Sequence, residues 1–278
     1  MSKPTVSQSP LDARIAPAAL RVFRRYVTGL VNCHDFSVLP EIMGEDYTLV
    51  TSGTVVTGRD GPYRDAVAKQ FAQFPGLQFT LHELVVCGDR VCARFTEHGA
   101  SLRHDGARAS WPSIAIYETS NGVLTRCSIE QDYYSRRRQL EQRQAVAVDP
   151  PAIAPWDEAA QSPSSSAEAI VRDWLRSGAW KRDPAVRVDD SHATGNIETV
   201  IDTRDVEVST IVSGGDHVGF HALEVGVLAS DFAKSTGATL GQPVSMPLSG
   251  LVRLSGGRVV GGHVIRDRWG LFRKLSRV

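Results

Sequence analysis

The pattern of apolar and polar positions predicts helices first and a series of strands afterwards. In residues 19–35 apolar side chains recur at helical spacing, as in ALRVFRRYVTGLV. Further along, the runs LQFTLHELVVC and RVCARFTEHGAS change to the period of two that is typical of strands. Helices followed by an antiparallel meander predict an α+β fold, with helices covering one face of a sheet.

The same pattern occurs twice along the chain. Three segments of the first half align without gaps with three of the second, in the same order: 19–35 with 167–183, 87–95 with 214–222, and 121–140 with 256–275. Three matches in one order predict an internal repeat. The second half has no counterpart of GRDGPYRDAVAKQFAQFPGL, whose apolar residues have helical spacing, so we expect its lobe to lack one helix. Its own additional residues, at 229–247, are expected to form a loop between two strands.

A segment rich in proline, serine and alanine separates the two halves, and it includes VDPPAIAPWDEAAQSPSSS. We therefore predict a first lobe at 15–143, a linker at 144–166 and a second, degenerate lobe at 167–278 that packs against the first as an internal dimer partner. The chain length of 278 residues agrees with two domains of about 150 residues each.

Composition and charge narrow the class of protein. Hydrophobic residues make up 42% of the chain, and 31 basic residues balance 31 acidic ones, which argues against a nucleic-acid or membrane-surface partner. The first fifteen residues contain no apolar run, so we expect a cytoplasmic protein. Neither the histidines and acids nor the cysteines show metal-ligand spacing, and we expect no metal and no cofactor. The four cysteines, expected to remain reduced, are Cys33, Cys87, Cys92 and Cys127.

The first half resembles the SnoaL-like polyketide cyclases of the nuclear-transport-factor-2-like superfamily over most of residues 18–140. The motifs that carry this are the GRDG helix start, the FPGL entry to a strand, the GDRV hairpin and the terminal IEQDYYSRRRQL. The second half resembles the family at its first helix, its hairpin and its terminal segment. The resemblance implies two tandem cone-shaped lobes, each a curved antiparallel sheet wrapped around helices, in a monomeric pseudo-dimer or a homo-oligomer.

The resemblance places the catalytic aspartate of such cyclases at Asp132. A carboxyl held in an apolar cone has a raised pKa and can serve as a general acid or base near neutral pH. Alternatively, Asp132 forms an ion pair with one of the arginines at 136–138. Asp267 repeats this aspartate in the second lobe, where the flanking Arg266 and Arg268 are expected to hold it ionised.

Three further residues are candidate partners of Asp132. His98 or His82 would complete an acid/base pair of the scytalone-dehydratase type if their strand faces point into the cone. Arg94 would orient Asp132 in the limonene-epoxide-hydrolase type of mechanism. That mechanism also needs an aspartate two residues beyond the arginine, and Thr96 stands there instead.

Four aromatic residues are candidates for lining a pocket for a flat, apolar ligand, or else for packing the core: Tyr47, Trp111, Tyr117 and Tyr134. Our leading prediction is a cofactor-free lyase or isomerase that cyclises, dehydrates or isomerises a small, hydrophobic, oxygenated metabolite of the polyketide or terpenoid kind. The alternatives are an epoxide hydrolase or epoxide-opening cyclase, and a non-catalytic small-molecule-binding or scaffold module. This superfamily hosts all of these, so only the residues of the site can decide between them.

Overall fold

The computed structural model describes residues 16–276 apart from Asn196. Residues 1–15, which include the predicted start of the first lobe, and residues 277–278 at the end of the second lie outside the described residues. The predicted α+β class is confirmed, since the chain forms two separate sheets, each covered by helices. Among the described helices, none has the length and apolar character needed to cross a bilayer.

Lobe one contains four α-helices and six strands. The helices are α1 (Ala18–Arg25), α2 (Leu39–Ile42), α3 (Arg64–Gln73) and α4 (Tyr133–Gln142). The strands are β1 (Met43–Thr51), β2 (Thr54–Thr57), β3 (Gln78–Cys87), β4 (Arg90–Ser101), β5 (Ala107–Ser120) and β6 (Val123–Gln131). The sheet order is β2-β1-β6-β5-β4-β3, and β1 runs parallel to β6 while the other neighbours are antiparallel.

Lobe two has nearly the same topology. Its described helices are α5 (Ser165–Arg176), α6 (Ser191–Thr194), α7 (Ser230–Thr236) and α8 (Arg268–Leu275). Its strands are β7 (Val186–Val188), β8 (Ile201–Gly214), β9 (His217–Leu228), β10 (Pro243–Ser255) and β11 (Arg258–Arg266). The order β7-β11-β10-β9-β8, with β7 parallel to β11, repeats that of lobe one without β2. Between β7 and β8 the described residues form only the single turn of α6, where lobe one has β2 and the ten-residue α3.

The segment at 229–247 differs from the expected loop because it contains the helix α7. Phe232 of α7 is fully buried and packs against Tyr134 of α4, with ring centroids 6.0 Å apart. Burial of this side chain between the lobes stabilises a helix that the Gly- and Ser-containing sequence does not favour by itself.

The interior of lobe one is the space between the helices and the inner face of its sheet. Leu20 and Phe23 of α1, and Val27 of the π-helical segment Tyr26–Val31 that follows it, point into it. Alternate residues of the strands, such as Ala93 and Phe95 of β4, face them. The period of two therefore assigns the remaining residues of β4 to the opposite face.

That opposite face of lobe one packs against lobe two. The apolar contact is formed by Val85, Cys92, Ile114 and Ile116 of lobe one with Val212, Leu251 and Ile265 of lobe two. All seven side chains are buried. The two lobes thus share a hydrophobic layer between their sheets.

The surroundings of Gly219 in β9 show how closely this layer is packed. A Cβ atom at this position would lie 2.2 Å from the Cys92 Sγ, across the lobe boundary. We expect Gly219→Ala to lower the free energy of unfolding by about 1–3 kcal/mol in urea titrations, because an added methyl overpacks the layer. Cys92→Ala should recover part of that loss in the double variant. Strictly additive effects of the two changes would contradict the contact.

The linker runs along β3, an edge strand of the lobe-one sheet. Ala152 N donates to Leu81 O at 2.8 Å, and Gln161 N donates to Val86 O at 2.8 Å. Trp156 of the linker packs against Phe23 of α1, with ring centroids 6.1 Å apart. The linker therefore covers an edge that would otherwise expose unpaired backbone groups.

An ion pair between His217 of lobe two and Glu83 of lobe one, beside the linker, predicts a pH-dependent contact between the lobes. His217 Nε2 lies 3.1 Å from Glu83 Oε1 of β3, and its Nδ1 lies 2.6 Å from Asp216 Oδ1. The hydrogen bond to Glu83, helped by the charge of Asp216, raises the pKa of His217 although its partial burial opposes this. The stabilisation is therefore complete below the unfolded-state pKa of about 6.5 and is lost as pH rises through the raised folded pKa.

We expect His217→Gln to destabilise the protein more at about pH 6 than at about pH 9. The measurement is the free energy of unfolding in urea at both values for wild type and variant. In a Glu83→Gln background the same His217 substitution should lose most of this pH dependence. An equal cost of His217→Gln at both pH values would contradict the ion pair.

Candidate active site

A buried glutamate, Glu97, lies inside lobe one at the centre of a hydrogen-bond network. Glu97 of β4 is opposite Trp111 of β5, and Gln131 of β6 is opposite Ser113 on the far side of β5. The Glu97 Oε2 accepts from Trp111 Nε1 at 2.8 Å, from Gln131 Nε2 at 2.7 Å and from Gln70 Nε2 of α3 at 2.8 Å. The register of the sheet and one helix thus fix this oxygen from three sides.

The other oxygen of Glu97 is available for chemistry. No hydrogen bond to Oε1 is formed by any of the described residues, and the side chain keeps 8% of its surface exposed. Burial raises the pKa of Glu97 above the usual range, although the three N–H donors and the charge of Arg136 oppose this rise. A carboxyl in this state can take up and return a proton nearer to neutral pH than an exposed glutamate.

Three aromatic rings and one arginine lie beside this network. The Arg136 guanidinium lies 4.2 Å from the Tyr133 ring centroid, 4.9 Å from Trp111 and 5.6 Å from Phe74. Tyr133, Arg136 and Gln70 are each partly exposed. The network therefore reaches solvent where α3 and α4 meet the strands, and we call these residues with Glu97 the mouth of lobe one.

Deeper in the interior, several tyrosines surround the thiol of Cys127. The Tyr63 hydroxyl lies 3.4 Å from that of Tyr26, and the Tyr47 and Tyr63 ring centroids are 4.9 Å apart. Burial raises the pKa of Tyr47, Tyr63 and Tyr117 well above the ordinary value. These phenols therefore remain neutral hydrogen-bond donors at physiological pH.

Asp132 is placed outside this interior, at the boundary between the lobes. It follows β6 and caps α4, with its Oδ1 accepting from Ser135 N at 3.0 Å. Both carboxylate oxygens lie 3.0 Å from Arg268 Nη2 of α8. Burial, with the charges of Asp189 and Asp190, raises the pKa of Asp132 to about 6 against the opposing effect of Arg268. The partner of Asp132 is therefore an arginine of the other lobe and not one of those at 136–138.

The aspartate of lobe two has a similar position but different partners from those expected. Asp267 caps α8 by accepting from Gly270 N at 2.8 Å. Its flanking arginines bind elsewhere, Arg266 to Asp189 and Arg268 to Asp132. The expectation that Arg266 and Arg268 hold Asp267 ionised is therefore wrong, and burial raises the pKa of Asp267.

The structure does not bring His82, Arg94 and His98 to Asp132. His82 binds the Thr96 hydroxyl and Pro150 O, both at 2.8 Å, and His98 binds the Thr80 hydroxyl at 3.0 Å. Burial lowers the pKa of both histidines. His82, Arg94 and His98 lie on the strand face opposite Phe95 and Glu97. There Arg94 contacts Glu83 of β3 at 3.3 Å and Asp149 of the linker at 3.0 Å.

The four aromatic candidates are divided between two places. Tyr47, Trp111 and Tyr117 are 0–1% exposed and lie in the interior of lobe one. Tyr134 instead packs against Phe232 and Phe272 of lobe two, with centroids 6.0 and 6.2 Å away. Among the described residues, no group of three His, Cys, Asp or Glu side chains could hold a metal ion.

Comparison with known proteins identifies the fold of lobe one. Residues 23–127 match the model of the SnoaL-like domain. No curated protein matches the sequence. Lobe one therefore contains a SnoaL-like domain, as the sequence motifs indicate.

Solved structures similar to this chain cover slightly less than half of it. A candidate polyketide cyclase, IdmH from Streptomyces antibioticus, is 16% identical over 44% of this chain and 98% of its own, with a TM-score of 0.40. A limonene-epoxide-hydrolase-like epoxide hydrolase from Mycobacterium tuberculosis is 16% identical over 45% of this chain and 90% of its own, with a TM-score of 0.39. A candidate polyketide cyclase from Acidithiobacillus ferrooxidans is 17% identical over 46% and 98%, with a TM-score of 0.42.

Proposed function

We propose that lobe one is a cofactor-independent small-molecule enzyme in which Glu97 carries the proton. The observation that supports this is that the two carboxylate oxygens of Glu97 have different hydrogen-bonding environments. Three N–H groups fix Oε2, whereas Oε1 has no partner among the described residues. A buried carboxyl with one oriented, unoccupied oxygen is suited to general acid/base catalysis.

The proposed reaction begins with proton transfer from carbon. The Glu97 Oε1 takes a proton from the carbon beside a substrate carbonyl, and the electron pair of the broken C–H bond forms an enolate. Return of the proton to another carbon gives isomerisation. Attack of the enolate carbon on a second carbonyl carbon, whose oxygen takes the proton back from Glu97, gives cyclisation. Loss of a neighbouring hydroxyl, which leaves with the proton as water, gives dehydration.

The substrate in this proposal is a small, hydrophobic, oxygenated metabolite of the polyketide or terpenoid kind. The partly exposed ring of Tyr133 offers a flat apolar surface to such a molecule, and the buried rings of Trp111 and Phe74 lie against the Arg136 guanidinium beside it. Asp132 takes no part in the chemistry, because its carboxylate is engaged by Arg268 at the lobe boundary.

A second candidate function is a non-catalytic binding or scaffold module. The observation that favours it is the filling of the lobe-one interior by aromatic side chains. Phe23 lies 4.8 Å from Tyr117 between ring centroids, and both side chains are at most 1% exposed. A module of this kind would bind a partner or ligand without needing the free oxygen of Glu97.

Proton exchange from carbon distinguishes the two candidates. Flat, enolisable aromatic ketones are incubated with the protein in deuterated water, and loss of the C–H signal beside the carbonyl is followed by NMR. We expect wild type to accelerate exchange over buffer and Glu97→Gln to lose the acceleration. Equal rates for wild type and Glu97→Gln would overturn the proposal and favour the binding module.

A further inference from the structure

Arg136 at the mouth of lobe one carries a positive charge for which the described residues supply no hydrogen-bond acceptor. Its guanidinium has five N–H donors in a planar fork. Among the described residues, none accepts a hydrogen bond from this side chain or forms an ion pair with it. Its guanidinium lies over the rings of Tyr133, Trp111 and Phe74. By contrast, Arg94, Arg266 and Arg268 each donate to at least one carboxylate.

Glu97 is the carboxyl whose charge acts on Arg136, but the two side chains form no ion pair. The Glu97 carboxylate directs Oε2 to three neutral N–H donors. The fork of Arg136 and the free Oε1 of Glu97 therefore remain separate, with aromatic faces beside them. Removal of a guanidinium from water without hydrogen bonds is unfavourable, so a ligand acceptor at this place would bind strongly.

We infer that the mouth of lobe one selects flat, conjugated molecules that carry an ionised oxygen, a carboxylate, phenolate or enolate, which binds the Arg136 fork. The carbon skeleton of such a molecule would lie against the partly exposed ring of Tyr133. Arginine suits this role because its planar fork matches a carboxylate with two hydrogen bonds and stacks on rings at the same time. This inference rests on the proposed function, since it names the substrate class of the site that contains Glu97.

Two probes of equal shape and different charge test the selection. Binding of 2-naphthoate and of its neutral isostere 2-naphthamide is measured by calorimetry at neutral pH. We expect wild type to bind the naphthoate at least about tenfold more tightly, as a charge-assisted hydrogen bond allows. In Arg136→Met the preference should fall to about twofold or less, and Arg136→Lys should retain only part of it.

Arg137→Met is the matched control. Arg137 is the next residue of α4, is exposed, and pairs with Glu141 at 2.6 Å, so its loss changes the net charge equally without touching the mouth. We expect this variant to keep the wild-type preference. Circular dichroism establishes that each variant is folded before titration. Equal binding of both probes by wild type, no binding of either, or an unchanged preference in Arg136→Met would overturn the inference.

The same variants separate this inference from the proposed function. Glu97→Gln should keep the naphthoate preference while it loses proton exchange, because it retains Arg136. If exchange depends on Glu97 but the preference does not depend on Arg136, only the substrate class is wrong. If the preference depends on Arg136 but exchange does not depend on Glu97, only the proposed catalysis is wrong.

Discussion

Replacing Glu97 with glutamine is expected to slow carbon-bound proton exchange by about 10²- to 10⁴-fold, the usual contribution of a general acid or base. Glutamine has the shape of glutamate, and its amide oxygen can accept the same bonds from Gln70, Trp111 and Gln131. The network should therefore persist while the titratable oxygen disappears. Stability in urea should change little, because the three donors to Oε2 keep their acceptor and the new amide NH2 takes the place of Oε1 in a residue that is 8% exposed.

The rate of the wild type should also depend on pH in a defined direction. A general base must be ionised, so the rate falls as pH is lowered through the pKa of Glu97. Because burial raises this pKa, the fall should be centred above the value of about 4.3 for an exposed glutamate. Asp132→Asn is the discriminating control, since it should keep both rate and pH profile if folded. Loss of exchange in Asp132→Asn with Glu97→Gln unaffected would assign the chemistry to the other carboxyl.

Replacing Arg268 with methionine is expected to give the largest loss of stability, about 3–5 kcal/mol in urea unfolding. Asp189 and Asp190 would keep other cations, Arg266 and Arg138 respectively. Asp132 is fully buried, and Arg268 is its sole ion-pair partner among the described residues. The variant would therefore leave one carboxylate buried without a counter-charge between the lobes.

Two further measurements test this explanation. Asp132→Asn should remove part of the cost of Arg268→Met, because the uncompensated charge is then absent. The defect of Arg268→Met should also shrink as pH is lowered, since protonation makes Asp132 neutral. Lys274→Met changes the charge of an exposed residue on the same helix and should cost little. A cost for Arg268→Met no larger than that control would contradict the role of the ion pair.

Local sequence patterns predict much of the fold and part of the candidate site. The period of two in β4 already places Glu97 on the same face as Ala93 and Phe95, and puts Arg94 and His98 on the other. A glutamate among inward-facing apolar residues was therefore a detectable signal for the candidate site. The family motif instead directed attention to Asp132, which lies one residue beyond the strand that carries Gln131.

Contacts between the halves could not be derived from local pattern. The sequence separation between Asp132 and Arg268 is 136 residues, and nothing in either segment specifies that they meet. Likewise, α7 exists because Phe232 is buried against Tyr134 of the other lobe. Periodicity determines which face a residue occupies, whereas packing between faces depends on shape and charge that only the folded chain brings together.

The ion pair between Asp132 and Arg268 also limits which amino-acid substitutions the two halves of the chain can accept. In a symmetric dimer of identical subunits, the residue after the strand-end aspartate would be the same on both sides. Here Tyr133 follows Asp132, whereas Arg268 follows Asp267, so the two surfaces are complementary and not identical. Two copies of lobe one alone would meet without that arginine. Substitutions in one half of the chain are thus constrained by the other half. A change at position 268 is tolerated only as far as the residue at position 132 allows.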